Sequence, residues 1–274
     1  MRYKLMLIDC DRTLLTDKGV VTARTQKAVR ESIRKGVKVV FASGRAPSGI
    51  KNIVKAIGDE ELFEYFVCFN GGMIVRAKDK QVISESALTV DDVIQIVDSI
   101  CCCQEDYYVF TSDRLICQGH NKQAEIEAMK NSVCVTKGDV RQLTCDERIY
   151  KMVFAGEEDE IDKIEQQIPK TLRKQYHVTR SEPNNLEFVS LSASKGNALV
   201  KLADLLNIRI QDTICFGDSE NDTSMIMLAG TGVAMGNASE QLKNVSDSVA
   251  DNNNNDGLAK AIEDLVLSDK IVTS

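Results

Sequence analysis

Two aspartates, Asp9 and Asp11, stand one residue apart in the run Asp9-Cys10-Asp11-Arg12-Thr13-Leu14-Leu15. In extended backbone, residues i and i+2 point to the same side. One carboxylate can then attack an electrophile or hold a metal while the other moves protons. A second acidic cluster, Gly217-Asp218-Ser219-Glu220-Asn221-Asp222, lies far downstream. Its spacing fails the calcium-loop pattern Asp-x-[Asp/Asn]-x-[Asp/Asn]-Gly. Each cluster taken alone is also compatible with a solvated turn. If the two converge, they make an oxygen-rich site for a hard cation. Magnesium takes one or two carboxylates together with water and substrate phosphate, so convergence points to Mg2+ and a phosphorylated substrate.

Two further segments offer what a phosphate needs. Ser43-Gly44-Arg45 places a hydroxyl beside a glycine that lets backbone N–H groups approach an anion, although most Ser-Gly pairs are simply turns. Lys195-Gly196 opens a segment in which Ala198, Leu199, Leu202, Ala203, Leu205 and Leu206 recur at helical spacing. A cation at a helix N-terminus opposes the helix dipole unless an anion is near, and a phosphate or carboxylate would answer that need. A solvated lysine is the other reading.

The two acidic clusters and the Ser43-Gly44 pair each follow a short apolar segment. Leu5-Met6-Leu7-Ile8 precedes Asp9, Val37-Lys38-Val39-Val40-Phe41-Ala42 precedes Ser43, and Thr213-Ile214-Cys215-Phe216 precedes Gly217. Such runs predict strands buried on both faces of a parallel sheet, and open α/β sheets bind ligands in the crevice beyond their strand C-termini. Residues 1–80 read βαβαβ, with a helix from Thr22 to Lys35 ended at Gly36. From 81 to 188 the pattern changes. Helical stretches (Val90–Ile100, Lys122–Asn131, Glu157–Gln175) alternate with short strands (Tyr107–Thr111, Leu115–Cys117, Tyr150–Ala155, Leu186–Val189), and Pro183-Asn184-Asn185 lies close to the exit. From Lys195 the α/β pattern resumes and ends in a helix from Gly257 to Leu267. The expected fold is therefore α/β: a Rossmann-like doubly wound parallel sheet formed by residues 1–80 and 189–274, with an inserted α+β cap domain at 81–188. Such an insertion can close over a site and exclude water.

The composition is compatible with this reading. The chain of 274 residues is 43% hydrophobic and 27% charged, enough for a sizeable core in two domains. The net charge of −7, with no basic stripe, argues against a nucleic-acid partner. No segment is apolar enough for a signal core or a membrane span, so a cytoplasmic protein without a membrane partner is expected, as a monomer or weak homo-oligomer. The nine cysteines form no CxxC pair, and Cys101-Cys102-Cys103 lacks zinc-ligand spacing. They are read as reduced, mostly packed thiols. No GxGxxG follows the first strand, which disfavours a dinucleotide-binding oxidoreductase.

The ordered set DxDxT, Ser, Lys, GDxxND resembles the haloacid dehalogenase superfamily of aspartate-nucleophile phosphotransferases, and most closely its Cof-type branch with a type IIB α/β cap. Phe69-Asn70-Gly71-Gly72, Ser194-Lys195-Gly196-Asn197, Gly232–Ala238 and Asn255-Asp256-Gly257 add to the likeness. The resemblance implies that Asp9 is the nucleophile and a magnesium ligand. It implies that Asp11 is the general acid/base and lends its backbone carbonyl to the metal. Cys10 (through its amide), Ser43, Gly44 and Asn221 would bind the substrate phosphate. Lys195 would neutralise nucleophile and phosphate, Asp218 would ligate magnesium, and Asp222 would orient the metal's surroundings. The implied activity is a magnesium-dependent phosphomonoester hydrolase acting on a small phosphorylated metabolite such as a sugar phosphate. A phosphomutase and a non-catalytic phosphate-ligand sensor are the alternatives. Four aspartates and a phosphate dianion outnumber the charges of Mg2+ and Lys195, so one carboxyl should have a raised pKa, with Asp11 expected to carry it. Where the family mostly has glycine, this chain has Arg12. That residue must either adopt ordinary dihedrals or store strain.

Overall fold

The computed structural model describes residues 2–58, 60–100 and 107–268, so the Cys101-Cys102-Cys103 run lies outside the described residues. In chain order the first part comprises β1 (Leu5–Asp9), α1 (Ala23–Arg34), β2 (Lys38–Ala42), α2 (Pro47–Ile57), β3 (Tyr65–Cys68), β4 (Met73–Arg76) and β5 (Val82–Glu85). The middle part comprises α3 (Val90–Ser99), β6 (Tyr107–Phe110), β7 (Arg114–Cys117), α4 (Lys122–Asn131), β8 (Cys134–Lys137), β9 (Lys151–Ala155), α5 (Glu158–Gln167), α6 (Lys170–Gln175), β10 (Tyr176–Glu182) and β11 (Asn185–Ser190). The last part holds α7 (Lys195–Leu205), β12 (Thr213–Gly217), α8 (Thr223–Leu228), β13 (Thr231–Ala234), α9 (Glu240–Val245), β14 (Ser248–Val249) and α10 (Gly257–Ile262).

The chain forms two compact units: Met1–Gly44 with Lys51–Ile83 and Ser194–Ser274, and Arg45–Ile50 with Ser84–Ala193. In the first unit the strand order is β14-β13-β12-β1-β2-β3-β4-β5. The ladders from β14 to β3 are parallel, and β4 runs antiparallel to β3. Every residue of β1 is buried. Leu5 and Leu7 pack on one face with Val40, Cys215 and the α7 side chains Ala198, Leu199 and Leu202, and Met6 and Ile8 on the other face are equally buried. This two-sided burial makes the strand a continuous apolar run instead of an alternating one. At roughly 1.5–3 kcal/mol for each fully buried large aliphatic side chain, the two faces together fix the register.

Register is what positions the chemistry. Asp9 pairs with Ala42, and Ile8 with Phe216. The loops that follow β1, β2 and β12 therefore leave the sheet at one level, bringing Asp9–Thr13, Ser43-Gly44 and Asp218–Asp222 to the same C-terminal edge.

The second unit is built on a six-stranded sheet of order β10-β11-β9-β6-β7-β8, antiparallel except for the β7–β8 pair. Tyr107, Val109, Met152, Phe154, Leu186 and Phe188 form one apolar face that packs with Val93, Ile96, Ile161 and Leu172 from its helices. By strand alternation Tyr108, Phe110, Lys151 and Glu187 lie on the other face. There Lys151 pairs with Glu187 at 3.1 Å and sits over the Phe110 ring. The helix expected over Glu157–Gln175 is two helices, because Pro169 caps the second and cannot continue the first. Cys134–Lys137, with all four residues exposed, is a strand without sequence alternation to announce it. Among the described residues, no helix is long and apolar enough to cross a membrane.

Gly71 ties the end of β3 to the start of α7. It has φ +96°, and a β-carbon there would stand 2.2 Å from the Ser194 carbonyl oxygen. Ser194 is the N-cap of α7, its hydroxyl accepting from the Asn197 amide at 3.0 Å. Gly71→Ala should therefore cost at least about 2 kcal/mol, from the left-handed backbone and the displaced cap together. Urea denaturation checks this, and a loss under about 0.5 kcal/mol would show that the cap absorbs the extra methyl.

Candidate active site

The centre of the site is the Lys195 ammonium, which is fully buried. It donates to Asp9 Oδ1 and Asp222 Oδ1, both at 2.6 Å. The solvated alternative for this lysine is thereby overturned: the anions that a cation at a helix start requires are two buried carboxylates. Burial opposes the lysine's charge, but Asp222 and Asp9 outweigh it and hold its pKa above the ordinary lysine value. Taking an ammonium out of water costs several kcal/mol, so this cation persists only because both partners are in contact with it.

Asp222 uses both oxygens structurally. Oδ2 accepts the backbone amides of Asp218 and Ser219 at 2.9 and 3.0 Å, which folds the loop into a tight turn and links its shape to Lys195. Asp218 accepts hydrogen bonds from Thr13 Oγ1 and Ser219 Oγ, both at 3.2 Å. Ligand oxygens of Asp9, Asp218 and Asp222 all lie within 4.8 Å of one another. Three buried carboxylates around one ammonium leave an excess of negative charge in an all-oxygen cluster, which fits a hard divalent cation.

The titration behaviour follows the burial. Burial pushes Asp9 well above its ordinary value, Lys195 pulls it back, and Asp222 and Asp218 raise it again. Asp218 is pushed up to about 6, by burial and then Asp222, against the pull of Arg12, Thr13 and Ser219. Asp11 is exposed, and the buried carboxyls of the cluster are Asp9, Asp218 and Asp222.

The remaining expected residues fall around this core. Ser43 is buried; its amide donates to the Val67 carbonyl and its carbonyl accepts the Asn70 amide, both at 2.9 Å. A β-carbon at Gly44 would lie 3.2 Å from Asn70 Oδ1, and that oxygen accepts from Asn221 Nδ2 at 2.9 Å. Asn70, with φ +55°, thus links the Ser43-Gly44 loop to the Asn221 loop. Sequence reasoning used Asn70 only as part of a resemblance, and the polar residue inside Phe69-Asn70-Gly71-Gly72 is the signal that could have marked it. Cys10, between the two aspartates in sequence, is buried. Arg12 adopts φ +61°, so it stores strain. Its Nε stands 3.8 Å from Asp218 Oδ2 on a side chain that is 60% exposed. At 3.8 Å this is a long contact between an exposed guanidinium and a buried carboxylate, whereas left-handed backbone costs about 1–2 kcal/mol.

Comparison with known proteins agrees with this geometry. Residues 6–262 match the family of haloacid dehalogenase-like hydrolases. The chain belongs to that family. It is 31% identical over 268 residues to the putative phosphatase YxeH of Bacillus subtilis (strain 168), covering 97% of this chain and 99% of the relative. It is 29% identical to the 5-amino-6-(5-phospho-D-ribitylamino)uracil phosphatase YcsE of the same organism, with 96% of each covered. A haloacid dehalogenase-like hydrolase from Bacteroides thetaiotaomicron superposes with a TM-score of 0.85 at 27% identity, over 96% of this chain and 99% of that one. The fold is thus the α/β core of this family with an inserted cap domain, and the chain is a phosphatase of the haloacid dehalogenase superfamily.

The raised pKa of Asp218 has a measurable consequence in the chelator-treated protein. In the unfolded chain this carboxyl ionises near its ordinary 3.8, in the folded protein near 6. Stability is therefore lost as pH rises between these values, by about 3 kcal/mol for a shift of some two units. Asp218→Asn removes that loss. Above pH 7 it should be more stable than the parent by up to this amount, converging with it near pH 4. Denaturation curves in EDTA at both pH values check this, and a variant less stable than the parent at pH 7 would contradict the burial of an ionised Asp218.

Proposed function

We propose that this chain hydrolyses the phosphomonoester of a small phosphorylated metabolite through an aspartyl-phosphate on Asp9, with Mg2+ held by Asp9, Asp218 and the Asp11 carbonyl and oriented by Asp222. The observation that carries the reading is Asp9 itself. One carboxylate oxygen is engaged by a buried ammonium, while the other takes no hydrogen bond among the described residues. Lys195 favours the anionic form of this carboxyl against the effect of burial, and the second oxygen is the nucleophile.

That oxygen attacks phosphorus as the ester oxygen leaves in line, and Asp11 gives its proton to the departing alkoxide. Asp11 then takes a proton from water. The resulting nucleophile attacks the phosphorus of the aspartyl-phosphate, the bond to Asp9 breaks, and inorganic phosphate leaves. The exposure of Asp11 suits this exchange, since it must meet first substrate and then water. Ser43, the Gly44 and Cys10 amides, Asn221 and Lys195 hold the phosphate oxygens. Bound magnesium supplies charge neutralisation for the transferring phosphoryl group.

The substrate class is a sugar phosphate or related polyol phosphate. The relative YcsE is named for a phosphate on a ribityl chain, which is a polyol. With magnesium and a panel of sugar and polyol phosphates, phosphate release should be measurable. Asp9→Asn should retain less than about 1% of it while keeping the parent's fold by circular dichroism at 25 °C, because the amide preserves shape but lacks the anionic nucleophile. Its melting temperature should fall, because Lys195 keeps only one anionic partner. EDTA should abolish turnover and excess magnesium restore it. More than a few per cent of turnover in Asp9→Asn, or full turnover in EDTA, would overturn the mechanism.

A further inference from the structure

The loop that carries Asp11 holds an arginine in a backbone conformation that disfavours any residue with a β-carbon: Arg12 has φ +61° and ψ 8°. Its side chain does little to secure this, being mostly solvent-exposed. Its carbonyl is held instead. Asn237 Nδ2 donates to the Arg12 oxygen at 2.9 Å, and Asn237 Oδ1 accepts the Asn253 amide at 3.0 Å. The buried Asn253 side chain in turn donates to the Leu15 carbonyl at 3.0 Å and to Asp17 Oδ1 at 3.1 Å. Asn254 closes the frame, donating to Asp17 Oδ2 at 2.8 Å and accepting the Asp17 amide at 3.0 Å. Carbonyls at residues 12 and 15 are thus both tied to the segments that follow β13 and β14.

We propose that Asn237 is a positioning residue that holds residue 12 in its left-handed conformation, and so sets Asp11 on one side and Thr13 on the other. Rotation of the peptide after Arg12 would carry Thr13 Oγ1 away from Asp218, where it now donates at 3.2 Å. Asn237 touches the reacting groups only through this backbone. Glycine adopts left-handed backbone as readily as right-handed. The clamp therefore matters because residue 12 is arginine, and it should become dispensable in an Arg12→Gly background.

The proposal rests on the catalytic reading above, and its test is a double-mutant cycle with two readouts: turnover of para-nitrophenyl phosphate with magnesium, and the denaturation midpoint in EDTA. Asn237→Ala should lower kcat about tenfold with KM within about twofold. The near-isosteric Asn237→Asp keeps the acceptor for the Asn253 amide but cannot donate to the Arg12 carbonyl, so it should lose as much. In the Arg12→Gly background either substitution should cost less than about threefold in kcat, and its shift in midpoint should shrink in parallel. Equal losses in both backgrounds would overturn the proposal, as would unchanged kcat in Asn237→Asp. Were the parent inactive on every phosphomonoester, the catalytic reading would fail, while the midpoint cycle would still decide whether Asn237 and residue 12 are coupled.

Discussion

A lysine ammonium removed entirely from water and shared between two carboxylates is the interaction on which this active site depends. Lys195 cannot be charged in that position without Asp9 and Asp222, and neither carboxylate could be buried so deeply without it. The triad spans the fold: Asp9 ends β1, Lys195 begins α7 and Asp222 closes the loop after β12. Each partner is fixed by its own element, so the electrostatics confer geometry as well as charge. Asp222 carries the constraint onward, because the oxygen not facing Lys195 accepts the amides that shape the Asp218 loop.

Close backbone approach is the second constraint, and it lies behind the first. Lys195 reaches its partners because α7 starts hard against neighbouring chain. The Gly196 amide donates to Ser224 Oγ at 3.0 Å, and the Ser194 cap lies against Gly71. A β-carbon at Gly217 would stand 2.5 Å from Asp222, so the last residue of β12 must lack a side chain for the acidic loop to fold back. The phosphate-facing loops are tied in the same way, Ser43 to Asn70 through backbone and Asn70 to Asn221 through side chains. The site is thus preorganised by packing and hydrogen bonds of the first unit alone, which is the condition for electrostatic stabilisation of a phosphoryl group.

How much of this was legible in the sequence depended on whether the signal was periodic. The strands before Asp9, Ser43 and Gly217 were readable because a strand buried on both faces is an unbroken apolar run, and their ends located the acidic clusters. Lys195 was ambiguous, since its partners are distant in sequence and a helix-start lysine is ordinarily solvated. That burial raises the pKa values of Asp9 and Asp218 was not legible, because the depth of each carboxyl is set by tertiary packing that no local pattern shows. The exposed strand Cys134–Lys137 presents four exposed residues and no alternation, while the break between the two helices lies at Pro169, inside the stretch Glu157–Gln175 expected as helical. Arg12 announced its departure from the family pattern, but its left-handed conformation and the Asn237 contact arise from loops that no local pattern connects.

The central claim is that the phosphoryl group passes through the Asp9 carboxylate. The most direct test is to quench the protein in acid during turnover of a phosphomonoester with magnesium, reduce with borohydride, and map the peptides by mass spectrometry. An aspartyl-phosphate reduces to homoserine. The account predicts homoserine at position 9, present only when substrate and magnesium are both supplied. Homoserine at another aspartate, or unmodified Asp9 in a protein caught turning over, would contradict it.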